Sequence, residues 1–216
     1  ATQTDRRSVW ANRPQNRRTN FKYIKSEPEI AKGLIPLVLV TIGFGAVGFV
    51  DDFKKLVLKN TDGLKPALKM LGLLIIAVAF AIYLVSIGTQ TLIPILKEYI
   101  TIPMLLYVPF AIVVMLGATN AVNLTDGLDG LAGGLSIICF LIYGMIAWNS
   151  PYLAGSDDIA VFCFILTGGL LGFLVFNAHP AKIFMGDTGS LALGGFVAAT
   201  AIMLRLPLFI LIVGFV

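Results

Sequence analysis

Charge is scarce in this chain: Asp, Glu, Lys and Arg make up 13% of its 216 residues, while 57% are hydrophobic. A water-soluble domain of this length cannot hide so much apolar side chain, so the composition excludes the ordinary soluble classes and leaves a polytopic membrane protein. Histidine occurs once, as His179, and cysteine twice, as Cys139 and Cys163, both inside apolar runs. A single histidine with no close cysteine pair excludes a zinc site, and two thiols in apolar segments exclude a disulfide framework. No G-x-x-x-x-G-K-S/T run is present, which removes P-loop nucleotide hydrolysis. The apolar/polar alternation of a barrel strand is missing too, so the spanning structures must be helices. Residues 1–32 are polar and basic, so no cleavable signal peptide is expected there.

What is present is a series of long apolar runs. A spanning helix needs about 20 mostly apolar residues, and six runs qualify, at 33–50, 70–88, 101–119, 131–149, 159–177 and 189–206, with 207–216 beginning a seventh. The expected fold is all-α, a polytopic bundle of six to seven spans. Residues 1–32 form a separate solvated segment, and residues 33–216 form the membrane domain. The final run, LPLFILIVGFV, stops in mid-span without a polar flank, so the chain is expected to be a piece of a longer protein.

The 51–69 loop carries Lys54, Lys55, Lys59, Lys65 and Lys69, which places it in the cytoplasm by the positive-inside rule. Counting spans from there, 120–130 and 178–188 are also cytoplasmic, and 89–100 and 150–158 face outward. Every cytoplasmic loop then holds aspartate beside a span end: Asp51 and Asp52, Asp126 and Asp129, and Asp187. Outward, only Asp157 and Asp158 are comparable. Three acidic clusters far apart in sequence but on one membrane face can converge on one site.

Each cluster suits a different task. In GFVDDFKK the adjacent carboxylates diverge by about 100° on a helix. One can accept a proton or hold a hard cation while the other braces Lys55 or a neighbouring span, or both simply end a span. In NAVNLTDGLDGLAGG, Asn123 and Asp126 stand at i, i+3, as do Asp126 and Asp129, among glycines that admit unusual backbone angles and close ligand approach. Amides and carboxylates together suit a sugar or a nucleobase. In FNAHPAKIFMGDTGSLALGG, Pro180 breaks one helix and Gly186–Asp187–Thr188 opens the next, presenting free N–H groups and a positive dipole end to a phosphate. Asp187 can hold Mg²⁺, which binds through one or two carboxylates plus substrate phosphates and water, and Phe184 can stack on a base. His179 reads as a structural helix-end residue.

These three motifs, in this order and spacing, resemble the polyprenyl-phosphate N-acetylhexosamine-1-phosphate transferases, and within them the bacterial muramoyl-pentapeptide branch; the resemblance covers residues 33–216. It implies a ten-span enzyme of the bacterial inner membrane, with its active site on the cytoplasmic face, a membrane-lipid environment, a homodimeric assembly and no nucleic-acid partner. The implied substrates are UDP-N-acetylmuramoyl-pentapeptide and undecaprenyl phosphate, with Mg²⁺ as cofactor, giving lipid I and UMP for peptidoglycan synthesis. It implies Asp51, Asp52 and Asp187 as catalytic residues, with Asp187 the metal ligand. It further implies Lys55, Lys69, Asn120, Asn123, Asp126, Asp129, Asn177, Phe184 and Gly186 as substrate-binding residues. A sister transferase moving N-acetylglucosamine-1-phosphate would keep the same fold and metal logic. A transporter is the rival from another class, disfavoured because carrier sites lie near the bilayer midplane.

Overall fold

The computed structural model of the chain describes residues 27–59, 63–88, 91–93, 98–100, 102–150, 155–208 and 210. The basic segment expected at 1–32 and the seventh span expected at 207–216 therefore lie largely outside the described residues. Six helices dominate: α1 (Glu27–Leu56), α2 (Pro66–Ser86), α3 (Met104–Thr125), α4 (Leu131–Trp148), α5 (Ser156–Asn177) and α6 (Gly186–Met203). Five of them, α1 from Leu34 to Leu56 and all of α2 to α5, are long and apolar enough to cross a membrane.

Local chemistry explains where these helices begin. Pro66 opens α2 and Pro103 precedes α3, positions where the missing N–H costs nothing and the fixed φ suits a helix start. Gly130 (φ 76°) and Gly155 (φ 77°) precede α4 and α5, in a left-handed conformation that a side chain would resist. Two helices outrun the apolar runs of the sequence. α1 continues past Val50 to Leu56 and α3 past Thr119 to Thr125, so the Asp51–Asp52 pair, Asn120 and Asn123 sit on helical turns and not in loops. Between α2 and α3 two short strands pair antiparallel, β1 (Thr91–Ile93) against β2 (Glu98–Ile100), with Thr91 opposite Ile100. Their β-branched and aromatic residues favour extended backbone, and these are the only strands among the described residues.

α6 is the centre of the bundle. It packs most extensively against α1 and α3, while α4 and α5 pair with each other. Ser190, Leu191 and every residue from Leu193 to Ile202 are buried. Small residues make this burial possible: a methyl group at Gly194 would overlap the Thr119 backbone of α3, and one at Gly195 would overlap Phe44 of α1. Close backbone approach through small residues is how helices associate where no water-driven term acts between them. Phe196 then meets Phe140 and Phe162 edge-on, with ring centroids 4.8 Å and 5.2 Å away. The outer helices turn apolar side chains such as Leu39 and Ile42 of α1 and Val113 of α3 outward, as a lipid-facing surface requires.

Candidate functional site

Hydrogen bonds and ion pairs tie together the C-terminal ends of α1 and α3 and the N-terminal ends of α2 and α6. The acidic motifs expected on one membrane face therefore stand at one end of the bundle. Asp187, in the first turn of α6, is their meeting point. Its Oδ2 accepts from Lys69 Nζ of α2 at 2.7 Å and from Lys55 Nζ of α1 at 3.2 Å, and its Oδ1 accepts from Asn123 Nδ2 of α3 at 2.8 Å. Burial alone would raise the Asp187 pKa, but hydrogen bonding with Asp51, then the Lys69 ammonium and the Asn123 amide, outweigh it and hold the carboxyl well below its ordinary range.

Asp51 and Asp52 part company as their spacing requires. Asp51 is 2% exposed, and its Oδ2 pairs with Lys55 at 2.7 Å and with Lys69 at 3.8 Å. Its Oδ1 accepts from the Leu64 N–H at 2.6 Å, beside Gly63, whose positive φ and lack of a side chain let the chain pass over Asp51. Asp52 instead turns to the start of α6 and accepts from the backbone N–H of Asp187 and of Thr188. Oxygens of Asp51, Asp52 and Asp187 all lie within 4.8 Å of one another. An all-carboxylate donor set of this kind matches a hard divalent cation.

The remaining expected residues divide into two groups. Asn123 is at the centre, donating to both Asp187 and the Ser190 hydroxyl. Asp126, just past the end of α3, has its pKa raised from 3.8 to about 6, first by burial and then by the charges of Asp187 and Asp52. Gly186 (φ 66°) leaves the space that Asp52 fills. Phe184 is 74% exposed on the rim, available to stack on a planar ligand. Asn120 bonds back to Leu116 O of its own helix at 2.7 Å. Asp129 and Asn177 are engaged by the protein itself. Asp129 Oδ2 accepts from the Ala181 N–H and contacts His179 Nδ1, both at 3.0 Å, and the Ala181 bond first, then the histidine, lowers its pKa. Buried Asn177 accepts from the Gly130 N–H and donates to Ile183 O, which pins the two loops of the site end to each other.

Sequence reasoning missed Gly48 and the Leu64 amide, and saw Thr188 and Ser190 only as part of a helix start. A methyl group at Gly48 would run into the carbonyl of Asp187, so that glycine sets how closely α1 approaches the first turn of α6. Thr188 and Ser190 carried a signal, being hydroxyl residues at a helix start; Gly48 carried none.

With this geometry in view, the family model described as glycosyl transferase family 4 matches residues 34–205. The chain belongs to glycosyl transferase family 4. Among curated relatives, the phospho-N-acetylmuramoyl-pentapeptide-transferase of Acetivibrio thermocellus is 49% identical over 183 residues, covering 84% of this chain and 54% of that protein. The protein of the same name from Shouchella clausii is 50% identical over 182 residues, covering 84% and 55%, and that of Staphylococcus carnosus 45% identical over 192 residues, covering 86% and 58%. The chain thus spans about half the length of the curated relatives it matches. Within this glycosyl transferase family 4 chain, the match runs from the first spanning helix to the end of α6 and takes in every residue of the acidic site.

Proposed function

We propose that this chain carries the acidic core of an Mg²⁺-dependent enzyme that transfers phospho-N-acetylmuramoyl-pentapeptide from its UDP-linked donor to undecaprenyl phosphate, giving lipid I and UMP. The observation that supports it is Asp187, held between Lys55, Lys69 and Asn123 where the ends of four helices meet at one end of the bundle. Phosphoryl transfer asks a protein mainly to position its reactants and neutralise developing charge. Lys55 and Lys69 are placed to exchange a carboxylate for a diphosphate oxygen, because both reach Asp187 on flexible stems. Asn123 fixes the Asp187 carboxylate, and Ser190, which donates to Gly186 O, fixes Asn123 in turn. Mg²⁺ bound through Asp187 would supply Lewis-acid stabilisation of the phosphoryl oxygens. Asp51, buried against both lysines, is the carboxylate we assign to orient or deprotonate the acceptor phosphate. Phe184 and the 120–134 segment face the nucleotide.

Five lysines at or beside this end of the bundle support a cytoplasmic orientation in a bacterial inner membrane, and the resemblance brings a homodimer with it. The test is release of UMP by the whole protein in detergent, with the nucleotide sugar and undecaprenyl phosphate supplied and no membrane gradient. Release should require both the acceptor and Mg²⁺, and Asp187→Asn should lower it on the order of 10²- to 10³-fold, the cost of losing a charge-stabilising group. Turnover with UDP-N-acetylglucosamine in place of the muramoyl donor would reassign the substrate to the sister transferases. No UMP from either donor would refute the reading.

A further inference from the structure

The first turn of α6 has a gap in its own chemistry. A helix start leaves backbone N–H groups without partners, and a Ser, Thr, Asp or Asn at the preceding position normally accepts from them. Here that position is Met185, in helical conformation and without a side-chain cap. The acceptor comes instead from another helix, 135 residues earlier in the chain: Asp52 Oδ1 takes the Asp187 N–H at 3.2 Å, and Asp52 Oδ2 takes the Thr188 N–H at 2.8 Å. The Thr188 hydroxyl adds a third bond to the same Oδ2, at 2.6 Å. Gly186 completes the socket, since a methyl group there would lie 2.8 Å from Asp52 Oδ2. Both carboxylate oxygens are committed to α6, and the negative charge sits at the positive end of that helix, where it is most favourable.

We propose that Asp52 is a positioning residue: it caps α6 from the neighbouring helix and so aims the Asp187 carboxylate, without itself binding the cation or acting on the reacting phosphates. Asp51 and Asp52, adjacent in sequence, then divide the work. Asp51 holds the two lysines, and Asp52 holds the turn that carries the carboxylate they share. The activity arm of the test rests on the transferase reading given above; the other arms do not.

Three variants decide the matter in the detergent-solubilised whole protein. Asp52→Asn keeps one acceptor oxygen but loses the charge. Thr188→Val removes the hydroxyl bond alone, and Thr188→Ser restores it. Without substrate, Mn²⁺ binding followed by electron paramagnetic resonance should weaken by about 3- to 30-fold in Asp52→Asn, the range a lost cap implies. Thr188→Val should shift in the same direction by less, and Thr188→Ser should match the unaltered protein. Hydrogen exchange at the Asp187 and Thr188 amides should quicken in the same order, a readout that a metal ligand or a catalytic base would not move. Saturating Mg²⁺ should return turnover of Asp52→Asn to within about 10-fold of normal. The proposal is overturned if Asp52→Asn loses turnover that saturating metal does not restore while exchange at both amides is unchanged. It is equally overturned if both Thr188 variants are silent in Mn²⁺ binding and exchange. If Asp52→Asn fails to fold, the Thr188 pair still separates the two outcomes. A protein that shows the exchange and Mn²⁺ effects but releases no UMP would refute the proposed reaction and leave the role of Asp52 standing.

Discussion

Gly48→Ala adds one methyl group, on a helix that bears the acidic pair but at a position with no chemistry of its own. In an ordinary helix interior the change would favour folding by about 1 kcal/mol, because glycine is the poorer helix former. Here the new carbon would overlap the carbonyl group of Asp187 and the nitrogen of Thr188. All these neighbours are backbone, so no side chain can rotate away. Restoring ordinary contact needs a separation of α1 and α6 of roughly 1 Å, and overpacking of this kind costs about 1–3 kcal/mol. The Asp187 N–H to Asp52 bond already stands at 3.2 Å, at the long end of the hydrogen-bonding range, so it would be the first to break. The expected result is a protein with lower thermal stability and a larger Mg²⁺ requirement for UMP release. Gly168→Ala in α5 is the control, since a methyl group there meets nothing within 4 Å, and it should be neutral or slightly stabilising. If Gly48→Ala matched Gly168→Ala in both melting temperature and Mg²⁺ requirement, the close approach of α1 to the first turn of α6 would not be what positions Asp187.

Phe184→Ala should raise KM for the nucleotide sugar by about 5- to 100-fold, the worth of one stacked base, with little change in kcat or melting temperature because the ring is exposed; an unchanged KM would remove it from the pocket. Asp126 supplies a pH test on the metal-free protein. Its pKa is raised from 3.8 to about 6 in the fold, so the folded state binds its proton more tightly than the unfolded chain does, and the stability this group contributes falls as pH rises from about 4 to 6. Asp126→Asn removes that loss. Its melting temperature should draw ahead of the unaltered protein between pH 4 and 6 and hold a constant lead above; a lead that does not vary between pH 4 and 8 would refute the assignment.

Much of the site could be read in advance because its chemistry is local. Asp187 stands in a Gly-rich helix start, and Asn123 and Lys55 lie one helical turn from other charged or amide groups, so residue type and spacing alone suggested a polar, phosphate-facing end. What could not be read were relationships that hang on the meeting of distant backbones. Asp52 accepts from main-chain donors, which every residue except proline possesses and no sequence pattern marks. Gly48 matters for what it lacks. Asn177 and Asp129 show the opposite problem: an amide or carboxylate near a span end looks the same whether it faces a ligand or a loop, and in the structure both are engaged by the polypeptide. The hydropathic pattern found α6 but not its place. Its glycines, serine and threonines dilute the apolar signal, and those same residues let it lie in the middle of the bundle.

That central place has a consequence for how the protein depends on its surroundings. Helices in contact with lipid tilt to match the thickness of the bilayer, so their ends rise and fall with acyl-chain length. α6 is walled off from lipid along almost its whole length, and the depth of Asp187 is therefore dictated by interlocked glycine and alanine surfaces instead of by the solvent in which the protein floats. A cell that remodels its fatty acids with temperature would change the lean of the outer helices while the acidic turn keeps its level.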